Sequence, residues 1–146
     1  MIRTLTISSI IALAATASFA QETPSPEGAT VYFANVSDGD TIAQGSTIVF
    51  GLSGMGVAPA GVENENTGHH HLLKNRPPLG EGEFGADEFE IAIPADENHQ
   101  HFGGGQTEVA LDLPPGTHTL QLVLGDAFHV PHNPPVVSDV ITVTVE

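Results

Sequence analysis

Three consecutive histidines, His69, His70 and His71, stand within the run Gly68–Leu73 of a 146-residue chain that has eight histidines and no cysteine. All eight lie between His69 and His132, and six of them fall into close pairs: His69-x-His71, His99-x-His101 and His129-x-x-His132. Imidazole is the commonest protein metal ligand and titrates nearest neutral pH, so such clustering offers metal ligation or a proton-driven switch. In an extended segment residues two apart share a face, which sends His69 and His71 one way and His70 the other. Two His-x-His pairs that converge provide the three or four nitrogens of a Cu²⁺ or Zn²⁺ site, with no thiolate required. The candidate metal ligands are therefore His69, His71, His99, His101, His129 and His132.

A ligating imidazole ordinarily hydrogen-bonds its second nitrogen to a carboxylate or carbonyl. Glu63, Glu65, Asp96 and Glu97 are the carboxylates nearest in sequence. His129 and His132 flank Val130–Pro131 in a proline-stiffened stretch that could hold both rings in place. His118 is in phase with Leu120, Leu122 and Leu124 and is expected to brace a corner by hydrogen bonding, as a tyrosine often does in β-sandwiches. Met55 lies in a glycine-rich stretch and is expected to pack. Catalytic motifs are scarce. There is no His-Glu-x-x-His, Gly51-Leu52-Ser53-Gly54-Met55 lacks the last glycine of a nucleophile elbow, and Gly103–Gly105 has no lysine nearby to suit a phosphate.

The elements that must position these residues read as strands. Period-two alternation marks Thr30–Val36, Ser46–Leu52, Glu88–Ile93, Glu108–Leu113, Thr117–Leu124 and Val136–Val145, with His71–Lys74 extended between them. Glycine and proline separate the runs, and no segment sustains a helical period. The expectation is an all-β domain, an immunoglobulin-like antiparallel β-sandwich of about seven strands. Residues 1–20 read as a cleaved signal peptide: Arg3, an apolar stretch from Ile7 to Ala17, then Ser18–Phe19–Ala20 with small residues before the cut. Residues 21–29 read as a flexible leader and 30–146 as one domain. The chain is expected to be periplasmic or secreted.

Composition narrows the partners. With 18 Asp+Glu against 3 Lys+Arg, the surface repels nucleic acid and anionic membranes and attracts cations. Without cysteine the domain has no disulfide, thiolate ligand or cysteine nucleophile.

Longer motifs carry a resemblance. The runs "FGLSGMGVAPAGVENENTGHHHLL", "IPADENHQHFGGGQTE", "LPPGTHTLQLVLGD" and "HVPHNPPVVSDVITV" resemble a bacterial exported family, the domain of unknown function DUF 4399, with Gly-His-His-His-Leu as its hallmark. The hallmark maps onto Gly68, His69, His70, His71 and Leu72. The resemblance implies an exported protein with the histidine motifs as its functional surface, and no established activity. Three readings follow: a metal-binding module for Cu or Zn used in sequestration, delivery or sensing; a metalloenzyme on the same ligands; or a cell-envelope interaction module with pH-responsive histidines.

Overall fold

The structure is a computed structural model that describes residues 22–146. The expected signal peptide and its cleavage point fall outside the described residues. The chain is mostly β, in two sheets, with a single 3-10 helix among the described residues. In order the strands are β1 (Thr30–Phe33), β2 (Thr41–Ile42), β3 (Thr47–Ser53), β4 (Gly56–Val57) and β5 (Thr67–Lys74). Then follow β6 (His99–His101), β7 (Glu108–Ala110), β8 (Gly116–Gly125) and β9 (Ile141–Val145). A three-stranded sheet runs β1-β3-β7, and a six-stranded sheet runs β2-β9-β8-β5-β4 with β6 also paired to β5. Most pairings are antiparallel, but β2 with β9 and β4 with β5 are parallel, which departs from the purely antiparallel expectation.

Apolar alternation places the core between the sheets. Val31, Ile48 and Phe50 from the small sheet meet Leu72, Leu120, Leu122, Leu124 and Val143 from the large one. The residues between them on the large sheet point outward. Leu73 and Val123 do so, yet they too are buried, under Leu79, Phe89 and Ile93 from the segment that follows β5. Both faces of β5 are therefore covered, and six successive residues, Gly68 to Leu73, are buried.

That covering segment was expected to contain a strand over Glu88–Ile93. Instead Gly85–Phe89 is a 3-10 helix, and Ile91 is exposed. The reason is Glu88, which alternation assigned to solvent. Its carboxylate is buried and takes Arg76 Nη2 on both oxygens at 2.7 and 2.8 Å and the amide of Gly80 at 2.8 Å. An ion pair of this kind turns the chain back on itself where a strand would have carried it away. His118 sits as expected: Nε2 donates to the Pro114 carbonyl at 2.8 Å, and Nδ1 lies 2.9 Å from Asn75 Nδ2, closing the turn before β8. Met55 packs against the main core.

Breaking a buried ion pair from one side strands the other charge, which costs about 3–5 kcal/mol. Glu88→Ala is accordingly expected to lower unfolding free energy by roughly that amount, read from urea denaturation, with Leu79 and Ile93 becoming accessible to proteolysis of the covering segment.

Candidate metal centre

The outward face of β5 carries His69, His71 and Leu73 in that order. Across one edge, His69 is paired with Gly125 and His71 with Val123 of β8. Across the other edge, His71 is paired with His101 of β6 and Leu73 with His99. Directly opposed residues share a face, so the register sets His101 beside His71 and leaves His99 one step further along, beside Leu73. The fourth ring comes from the loop after β8. His129 adopts φ +70°, a left-handed conformation uncommon for any residue with a side chain, and its carbonyl accepts the amide of Ile93 at 2.9 Å.

Four imidazoles thus converge: His69, His71, His101 and His129, each with a ring nitrogen no further than 4.8 Å from those of the others. Ring centroids lie 4.5 Å apart for His101 and His129, 4.6 Å for His69 and His71, and 5.7 Å for the widest pair, His71 and His129. Nε2 of His69 is 3.1 Å from Nδ1 of His129. Metal–nitrogen bonds of ~2.0–2.1 Å put neighbouring ligand nitrogens about 2.8–3.4 Å apart, so that pair already has the spacing of two ligands on one ion. Two glycines make room. A Cβ at Gly125 would lie 2.5 Å from Cε1 of His71, and one at Gly103 would lie 2.4 Å from Cε1 of His101.

The rings differ in exposure. His69 and His71 are wholly buried, His129 is half-buried, and His101 faces solvent. Nδ1 of His69 and both ring nitrogens of His71 have no hydrogen-bond partner. Burial drives the pKa of His69 down to about 4, helped by the neighbouring rings of His129 and His101 and opposed by Asp126. Burial likewise takes His71 down to about 3, with His69, His101 and His129 adding to it. His101 is lowered by partial desolvation and by His129. At neutral pH His69 and His71 are unprotonated, the form in which imidazole binds a metal.

His99 and His132 lie outside this group. Nε2 of His99 accepts from Arg76 Nη1 at 2.8 Å, and its Nδ1 donates to Asp96 at 2.7 Å, so both nitrogens are committed. His132 is buried with Nδ1 3.3 Å from the Leu124 carbonyl and Nε2 3.2 Å from that of Thr67. His70, on the inward face, packs its ring 5.3 Å from that of Phe50 in the main core. Its ring nitrogens also lack partners, but no other histidine joins it there.

The family model for a domain of unknown function, DUF4399, matches residues 48–146. The chain belongs to that family. No curated protein and no solved structure matches it. The matched span of this DUF4399 domain contains all four converging histidines and begins within β3, after β1 and β2.

One carboxylate beside the cluster escaped the sequence reading. Asp126, nearly buried, accepts the amides of Phe128 at 2.8 Å and Val130 at 3.0 Å and so frames His129 on both sides. The Asp-x-x-His spacing was the available signal, since a short acidic side chain commonly bonds amides just ahead of it in a turn. Of the carboxylates expected to assist, Asp96 serves His99.

The lowered pKa values set a pH dependence. Unfolded histidines titrate near 6.5, so below that pH the unfolded chain binds protons that His69 and His71 refuse in the fold. The metal-free domain is therefore expected to lose stability as pH falls from about 6.5 toward the folded pKa values near 4 and 3. Urea midpoints measured in chelator at pH 7.5, 6 and 5 check this, with a His69→Gln/His71→Gln variant showing a flatter profile.

Proposed function

We propose that this domain is an exported metal-binding module that holds one Cu or Zn ion on His69, His71, His101 and His129. The observation that carries the reading is the convergence of four imidazoles, two of them wholly buried, with ring nitrogens that nothing else in the fold uses. A buried polar atom without a partner costs about 1–3 kcal/mol. A chain folding around several of them is easiest to understand if an ion completes their bonding. The donor set is all nitrogen, neutral and borderline in softness, which suits Zn²⁺ and Cu²⁺ and does not suit Ca²⁺ or Mg²⁺.

Exposure of His101 supports a carried ion over a permanently enclosed one. It stands on the short strand β6, so an ion can reach or leave the buried pair without opening the core between the sheets. Sequestration, delivery and sensing all fit such access. Asp126 and the strongly acidic chain favour cation approach. Export rests on the leader sequence, and the absence of cysteine leaves the site without a thiolate, so the imidazoles are its donors. Two facing sheets of short strands support an immunoglobulin-like sandwich as the scaffold. Among the described residues no helix is long and apolar enough to cross a membrane.

Isothermal titration of the chelator-stripped protein with Cu²⁺ and with Zn²⁺ is expected to show one ion per chain. His71→Ala is expected to weaken binding by more than ~100-fold, the upper range for losing merely an outer-sphere partner, whereas His118→Gln leaves it unchanged. Binding weaker than about 100 μM for both ions, or equal binding by a variant with all four histidines replaced by alanine, overturns the reading. A second outcome concerns space at the ring. Gly125→Ala sets a Cβ 2.5 Å from Cε1 of His71 and is expected to reduce affinity while His118 and the main core stay as they are.

A further inference from the structure

The first residues of the described chain are fastened to the loop that presents His129. Pro24 pairs in parallel with Asn133, whose amide donates to the Thr23 carbonyl at 2.9 Å and whose carbonyl accepts from Ser25 at 3.3 Å. Two side-chain bonds reinforce the pairing: Asn133 Nδ2 donates to Glu22 Oε2 at 2.6 Å, and Ser25 Oγ donates to the Pro134 carbonyl at 2.6 Å. Residues 22–25 thus lie as a strap across the far end of the ligand-bearing loop.

One bond of the strap reaches the metal centre's own support. Thr23 Oγ1 donates to Asp126 Oδ2 at 2.6 Å. The other oxygen of that carboxylate, Oδ1, accepts the amides of Phe128 and Val130, the residues on either side of His129. The amide of His129 itself donates to the Asp126 carbonyl at 3.0 Å. Asp126 is only 4% exposed, so water does not readily replace the threonine hydroxyl. A left-handed backbone at a residue with a side chain persists when its surroundings over-determine it. Here the surroundings are the Asp126 carboxylate, oriented by the Thr23 hydroxyl, together with the Asp126 carbonyl that takes the His129 amide and the Ile93 amide that donates to the His129 carbonyl.

We propose that Thr23 is a positioning residue for the metal centre: through Asp126 it holds His129 at the ion, and seating of the strap sets the affinity of the four-histidine cluster. The proposal rests on the metal-binding reading given above. Linkage makes the effect reciprocal. An ion bound to His129 secures the strap by the same factor by which the strap tightens the ion. A partner that displaced residues 22–25 would loosen the hold on the metal without touching any ligand.

The test uses protein purified after expression of the full chain, with Thr23→Val, which keeps the shape and removes the donor, and Thr23→Ser, which restores it. Two measurements are made: Cu²⁺ affinity by competition with a chromophoric chelator, and amide hydrogen exchange at Phe128, His129 and Val130 without metal. The expected result is binding weakened by roughly 10–100-fold in the valine variant, the range for loss of an outer-sphere partner, with faster exchange at those amides and recovery of both in the serine variant. Thermal unfolding with an unchanged midpoint confirms that the valine variant keeps its fold. Wild-type affinity and wild-type exchange in the valine variant overturn the proposal. If the unmodified protein binds neither Cu²⁺ nor Zn²⁺, the metal-binding reading fails by itself. The exchange rates then still decide whether Thr23 fixes the loop, and unchanged rates overturn that as well.

Discussion

Side-chain alternation along β5, on a strand buried on both faces, is the constraint from which the rest of this domain follows. A strand covered on one side would put alternate histidines in water, where they would be solvated and unremarkable. Here His70 and Leu72 enter the core between the sheets, while Leu73 lies under the segment between β5 and β6, and His69 and His71 lie against His101 of β6 and His129 of the loop after β8. Burial on the second face deprives two imidazoles of water and keeps them neutral. It also makes their neighbours matter, because any nitrogen not supplied with a partner by the fold remains a standing cost.

Two kinds of support surround that strand. The sheet gives His101 its place by register alone, since it is the direct partner of His71. His129 has no such template. Its position comes from a turn built on Asp126, a left-handed backbone and the pairing of residues 22–25 with 133–134. The centre therefore joins a rigid half, set by strand pairing, to a half assembled from loop contacts that span more than a hundred residues of sequence.

Much of this was legible beforehand. The strands of the main core follow from alternating Leu, Val and Ile, and the division of His70 from its neighbours follows from the two-residue period. His118 at a corner and Met55 in packing were readable from phase and context. The choice between His99 and His101 was not. Both belong to one His-x-His pair and share a face, so alternation treats them alike, and only the register of β6 on β5 separates them. Glu88 misled the reading for a different reason. A charged residue in an alternating run is ordinarily the solvent side, and nothing local announces that Arg76, twelve residues earlier, will draw it inside. Asp126 has no periodic signature, because its role is to hold backbone amides.

The bonds that keep His99 out of the four-histidine cluster have a consequence for pairing. Slipping β6 by two residues along β5 would bring His99 opposite His71 while every side chain kept its face, so hydrophobic patterning cannot tell the two alignments apart. The repeated His-x-His makes the alternatives nearly degenerate, and an ion would accept an imidazole from either. Arg76 and Asp96 lift that degeneracy by binding both nitrogens of His99 where it stands beside Leu73. The histidine that does not join the cluster thereby acts as an alignment key, selecting which of two interchangeable rings the sheet presents.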